Sequence, residues 1–348
     1  MARRVPESPA SKLWRHEAQR LLAGELWDMP DASELDRAVH SRMFGLVAER
    51  YGERTSSALE RYARECTSDP SLPHAWSVVW CARWARCRQV YRISDLVANE
   101  ILEQDIEGDV PVEALERLPF PIVYVDCGID CQVSSQSARS RGFLAWLDSS
   151  PYGARELCAC YFFDEDGVTS TKSFDLVGST LSDMVRNNVE STMRAMKRLG
   201  VSDEKVERTG TREYRDGLAS QMRQTINLLL YIISEDDDAS VTYRPPSGGR
   251  GQTTGPRTNM ETHHLLGARM GRAIGSAKSA CLTGAEFSPT GRSMVPHVRK
   301  AHWQHYWVGP RKGRDDGRFG DKLILKWLPP IFVNGLGEPV EVVHESRA

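Results

Sequence analysis

The chain has 348 residues, 40% of them apolar and 26% charged, with a formal net charge of −2. That is the composition of a soluble globular protein, with room for two domains or one large one. The longest apolar run, Leu228–Ile233, is far too short for a membrane helix, and MARRVPESPASKLWRHE has no apolar signal-peptide core.

Residues 1–115 read as a mainly helical region. Ser33-x-x-Asp36 is an N-cap pattern ahead of Leu35, Val39, Leu46 and Val47. After Pro73, Trp76, Trp80 and Trp84 recur every fourth residue, continued by Cys87 and Tyr91, so the spacing predicts one helical stripe. Such a stripe is helix-to-helix core or a partner groove. The Pro- and acid-rich segment 103–121 is the boundary that composition suggests.

Residues 116–244 read as an α/β core. Pro121–Asp126, Gly142–Leu147, Arg155–Phe163 and Thr169–Phe174 are strand-like, and Asp164-Glu-Asp-Gly167 is a hairpin turn signal. Helices follow at 179–199 and 216–234, the second ending in the acidic run Glu235–Asp238. Val241–Arg244 is a short strand. The segment 245–262 reads as a flexible basic linker or loop. In the C-terminal region, 263–348, Gly267, Gly271 and Gly275 sit four apart, and the reading is a strand or bent element leading into a final ribbon. The fold class expected is α+β: a helical N-terminal region followed by a mixed, mainly antiparallel sheet packed with helices.

The most distinctive stretch is PHVRKAHWQHYWVGPRKGRDDGRFGDKLILKWLPPIFVN, residues 296–334. Alternation puts Trp303, His305 and Trp307 on one side of an extended segment and His302, Gln304 and Tyr306 on the other. Leu323, Leu325 and Trp327 share a face of the second segment. Residues 309–321 have turn composition, and Pro329–Pro330 end the second strand. The reading is a two-stranded ribbon with a long basic tip, at the edge of a sheet.

Charge is uneven: 244–314 holds 12 Lys and Arg against Glu261 and Glu286. A basic stretch beside an acidic body points to an anionic partner or to internal charge complementarity. Arg299, Lys300, Trp303, His305, Tyr306, Trp307, Arg311, Lys312, Arg314 and Arg318 interleave rings with cations, a mixture that suits single-stranded RNA. The competing reading is a cross-strand aromatic core of Trp303, Trp307 and Trp327. A histidine pair, His302 or His305 with Tyr306 beside it, also admits metal-independent RNA cleavage. No Walker A loop, G-x-G-x-x-G, H-E-x-x-H or G-x-S-x-G occurs, and the eight cysteines include no C-x-x-C, so reduced thiols in a cytoplasmic protein are expected. No catalytic residue, metal ligand or cofactor is assigned.

The strings HVRKAHWQHYWVGPR (297–311) and LILKWLPPIFVNG (323–335) resemble the C-terminal region of the second type V-A anti-CRISPR family, which acts on effector biosynthesis. PIVYVD at 121–126 and the LLLYIISE helix at 228–235 are compatible with it. The matching tail residues are His297, Arg299, His302, Trp303, Tyr306, Trp307, Trp327, Pro329 and Asn334. The resemblance implies a phage- or plasmid-carried protein acting in the cytoplasm of a bacterial host. It implies recognition of the nascent N-terminal peptide of the Cas-twelve-a effector, or of another host protein, with loss of the message and contact with mRNA or ribosome. The binding residues expected on the ribbon are Arg299, His302, Trp303, His305, Tyr306, Trp307, Arg311, Lys312, Arg314 and Trp327.

Overall fold

The computed structural model describes residues 8–10, 45, 47–53, 58, 80, 84, 87–106, 110–133, 136–149, 155–163, 169–198, 211–234, 239–243, 261–282, 297–308 and 322–333. Outside them lie several sequence expectations: the Ser33–Asp36 cap, Trp76, the Asp164–Gly167 turn, the acidic run 235–238, the segment 245–260 and the basic tip 309–321.

A seven-stranded sheet organises the chain. Its strands are β1 (Gln89–Ile93), β2 (Ile122–Val125), β5 (Gly142–Ser149), β6 (Arg155–Phe162), β7 (Thr169–Asp175), β8 (Ala239–Tyr243) and β9 (Glu261–Leu266), in spatial order β7-β6-β5-β2-β1-β9-β8. Two further strands, β3 (Asp130–Val133) and β4 (Gln136–Arg139), form a separate hairpin. β1 pairs in parallel with both β2 and β9, and the other four pairings are antiparallel. The fold is therefore α+β, with a mixed and mainly antiparallel sheet. The parallel step from β1 to β2 needs a crossover, supplied by α1 (Asp95–Leu102) and a 3₁₀ turn at Val112–Arg117.

β1 lies N-terminal to the expected boundary at residue 115, and β9 lies beyond residue 245. The two are hydrogen-bonded neighbours. The sheet therefore takes strands from before residue 115, from 116–244 and from beyond 245.

The tryptophan helix stops sooner than its spacing predicts. Trp80 and Trp84 are helical, but Arg88 donates its backbone N–H to Trp84 O and takes a left-handed φ of 46°. Tyr91 therefore falls in β1, where QVYRI has the β-branched and aromatic make-up of a strand. Both tryptophans pack on the sheet: Trp80 lies 4.3 Å from Trp146 and Trp84 lies 6.2 Å from Tyr124.

Both faces of the sheet are covered. Ile122, Tyr124, Leu144, Trp146, Cys160 and Phe162 share the tryptophan side. Val123, Val125, Phe143, Ala145, Ala159 and Tyr161 face the helices α1, α2 (Leu181–Arg198) and α3 (Thr211–Ser234). The helix α3 has more than one buried stripe. Every residue from Ile226 to Ile232 is buried, because the far side of the helix is covered too.

After β9 the chain forms a helix, α4 (Ala268–Leu282), where a strand or bent element was expected. The three glycines explain both the misreading and the packing. Gly267 turns the chain at φ +70°. A Cβ at Gly271 would stand 2.1 Å from Ser94 Oγ, and one at Gly275 would stand 3.0 Å from Leu96 Cδ1. The glycines let α4 lie against the start of α1, where longer side chains would hold the two apart.

Candidate functional site

The C-terminal ribbon consists of β10 (His297–Arg299), β11 (His302–Val308), β12 (Lys322–Leu328) and β13 (Ile331–Val333). It is a two-stranded unit of its own, not an edge of the large sheet as expected. β10 pairs with β13 and β11 with β12. The register is the same on both sides of the break: Arg299 faces Ile331 and His302 faces Leu328. Pro329–Pro330 thus end β12, as expected, but the ladder resumes in step. Proline cannot donate to the ladder, so Lys300 and Ala301 opposite lose their partners without any slip of the strands.

Alternation along β11 is as the sequence indicates. His302, Gln304 and Tyr306 are exposed, whereas Trp303 is buried at 9% exposure, paired across the ribbon with Trp327 at 3%. The pair is the cross-strand aromatic contact that the alternation allows, with both rings buried.

Both indoles are held by polar groups of the helical layer. Trp303 Nε1 donates to Asn227 Oδ1 at 3.0 Å, and Trp327 Nε1 donates to Gln104 Oε1 at 2.8 Å. Asn227 in turn donates from Nδ2 to Gln104 O at 2.7 Å and to Ile101 O at 3.3 Å, at the end of α1. Tyr231 meets Trp327 edge-on, with ring centroids 5.5 Å apart. Sequence reading passed over Asn227, although a lone amide inside the run Ile226–Ile233 is itself a signal: buried amides are hydrogen-bonded.

Of the remaining site residues, Arg299 is paired in β10, and His305 and Trp307 are placed in β11 by their backbones. Arg311, Lys312 and Arg314 lie outside the described residues. His302 and Tyr306 share the outer face but stand four residues apart on a strand, about 13 Å.

A second polar cluster lies in the body. Glu261, fully buried, accepts from Ser8 Oγ at 2.7 Å and from His263 Nε2 at 2.8 Å. A buried carboxylate needs such partners. The carboxylate bridges the Ser8 hydroxyl and the His263 imidazole, and all three residues are buried, so the trio ties Ser8 to β9. On the opposite face of the strand, His264 donates to Gln89 Oε1 at 2.7 Å and stacks on Tyr91 at 4.4 Å. Cys127 and Cys131 are each pushed up to about 12 by burial, which keeps them protonated at neutral pH. One cation of the basic stretch is matched internally, Lys278 Nζ with Glu100 Oε1 at 2.6 Å. Among the described residues no group of three His, Cys, Asp or Glu side chains is arranged to hold a metal. No described helix is long and apolar enough to cross a membrane.

Known proteins fix the relationship. No curated protein matches the sequence. A solved structure, described as the crystal structure of AcrVA2, is 15% identical and covers 93% of this chain and 94% of its own, with a TM-score of 0.49. Residues 91–335 match the AcrVA2-like family. That span runs from β1 through the ribbon, well over half of the chain, and the chain therefore belongs to the anti-CRISPR type V subtype A2 family.

Proposed function

We propose that this protein, acting in the host cytoplasm for a phage or plasmid, lowers production of a type V-A CRISPR effector. It recognises the effector's N-terminal peptide as that peptide leaves the ribosome, and loss of the message follows. Family membership supports the inhibitory role. The observation that supports a peptide as ligand is the division of labour across the ribbon. Its inner face is fixed to α1 and α3 through Trp303 and Trp327, while His302, Gln304 and Tyr306 stay open. A fixed, mixed polar and aromatic strip suits a peptide, because little ordering is needed when the partner arrives.

Trp303 and Trp327 are enclosed, so neither ring is available to stack on an unpaired base. Contact with mRNA or ribosome is then secondary to contact with the peptide. The test is to purify the tagged protein from cells translating the effector, with and without RNase. Retention of the nascent peptide after RNase supports the reading. Complete loss of the peptide with the RNA contradicts it.

A further inference from the structure

We propose that the outer edge of β11 is the docking edge, and that the recognised peptide adds there as a third, extended strand of the ribbon. This rests on the peptide-recognition reading above and specifies how the peptide is held.

Among the described strands β11 pairs with β12 alone. Alternate residues of β11 therefore direct their backbone N–H and C=O groups away from the ladder, an arrangement that an extended backbone satisfies. β12 is the strand whose backbone lies nearer α3, which leaves β11 the outer of the two although its Trp303 reaches Asn227. Side-chain exposure agrees: His302, Gln304 and Tyr306 on β11 are exposed, whereas Ile324, Lys326 and Leu328 opposite them are half-buried. Seven residues of strand offer about 23 Å of edge. Tyr306, 37% exposed, provides a ring against which an apolar side chain of the added strand can pack.

The edge of the large sheet at β7 differs in a telling way. Lys172 on β7 is aligned with Ala159 of β6 on the helix-facing side, and burial of its amine pushes its pKa down. An inward lysine on an edge strand opposes further strand addition. On β11 the described inward residue is Trp303, which is hydrogen-bonded and stabilises the ribbon instead.

Charge narrows the partner. β11 is preceded by Arg299 and Lys300, and Lys300 is exposed. A segment carrying a carboxylate is favoured there over a lysine-rich one.

The probe is a synthetic peptide matching the effector's N-terminus, in three forms: unmodified, backbone N-methylated at odd positions, and N-methylated at even positions. An added strand turns only alternate N–H groups toward β11. The unmodified peptide is expected to bind, one methylated form to lose about tenfold or more in affinity and the other to retain it. Tyr306→Ala is expected to weaken the unmodified peptide about tenfold with an unchanged unfolding midpoint. Equal affinity for the two methylated forms, whether kept or lost, overturns strand addition. Full affinity in both Tyr306→Ala and Gln304→Ala overturns its placement on β11. Failure of the unmodified peptide to bind removes the proposed function as well.

Discussion

The indole N–H of Trp303 on β11 reaches Asn227 Oδ1 on α3 across 3.0 Å, joining positions 76 residues apart in sequence. Asn227 spends its two amide hydrogens on Ile101 and Gln104 at the end of α1. One side chain therefore locks the ribbon, α3 and α1 to each other, and its polar group is satisfied inside the otherwise apolar run Ile226–Ile233.

Trp303→Phe keeps most of the apolar surface but leaves Asn227 Oδ1 without its donor. The expected loss is about 1–3 kcal/mol, the cost of a buried unsatisfied acceptor. Trp327→Ala removes the ring as well and should cost about 3–5 kcal/mol. Urea unfolding midpoints check both. A Trp303→Phe protein as stable as the parent would show that the bond to Asn227 contributes nothing.

Gly271→Ala sets two effects against each other. Alanine gains about 1 kcal/mol in helix propensity, whereas overpacking costs about 1–3 kcal/mol. With the new Cβ 2.1 Å from Ser94 Oγ, overpacking wins and the substitution destabilises. Ser94→Ala removes the clashing oxygen, so the double variant should recover part of the loss. Additive losses in a double-mutant cycle would contradict this packing account.

Much of the sheet was legible in the sequence. β5, β6 and β7 alternate or run apolar between turn residues, and α3 is strongly periodic. β1 was hidden because Cys87 and Tyr91 extend the four-residue tryptophan spacing; the left-handed Arg88 that breaks the helix has no sequence signature. α4 was hidden because glycines that serve close packing look like breakers. Alternation in the ribbon correctly separated Trp303 from His302 and Tyr306. It could not tell which face meets α3, since that depends on Asn227 and Gln104, distant in the chain. The aromatic and basic mixture was thus read as one surface when its described part is split between core and solvent.

Thr180 caps α2: its Oγ1 accepts the backbone N–H of Asp183 at 3.1 Å. Bonding to the Thr180 side chain, then to Ser179 and Arg186, holds the Asp183 carboxyl below its ordinary value of 3.8. A depressed carboxylate contributes stability above its unfolded pKa and loses it as pH falls through the lower folded value. Thr180→Ala should cost about 1 kcal/mol and shift the Asp183 titration upward by NMR. An unmoved titration would contradict the assignment.

Cys127 and Cys131, protonated at neutral pH because burial raises both thiols to about 12, should resist iodoacetamide in the folded protein and react on unfolding. Mass spectrometry of labelled peptides reads this directly. Rapid labelling of the buried Cys131 under native conditions, or of the half-buried Cys127, would contradict this expectation.

The most direct measurement of peptide recognition separates the encoded peptide from the nucleotides that encode it. Effector message is quantified in cells with and without this protein, for three versions of the first codons: native, synonymously recoded, and shifted in frame with the remaining sequence restored. The account predicts that native and recoded messages fall together while the frame-shifted message persists. A recoded message that escapes, or a frame-shifted one that still disappears, would show that RNA is read instead of the peptide.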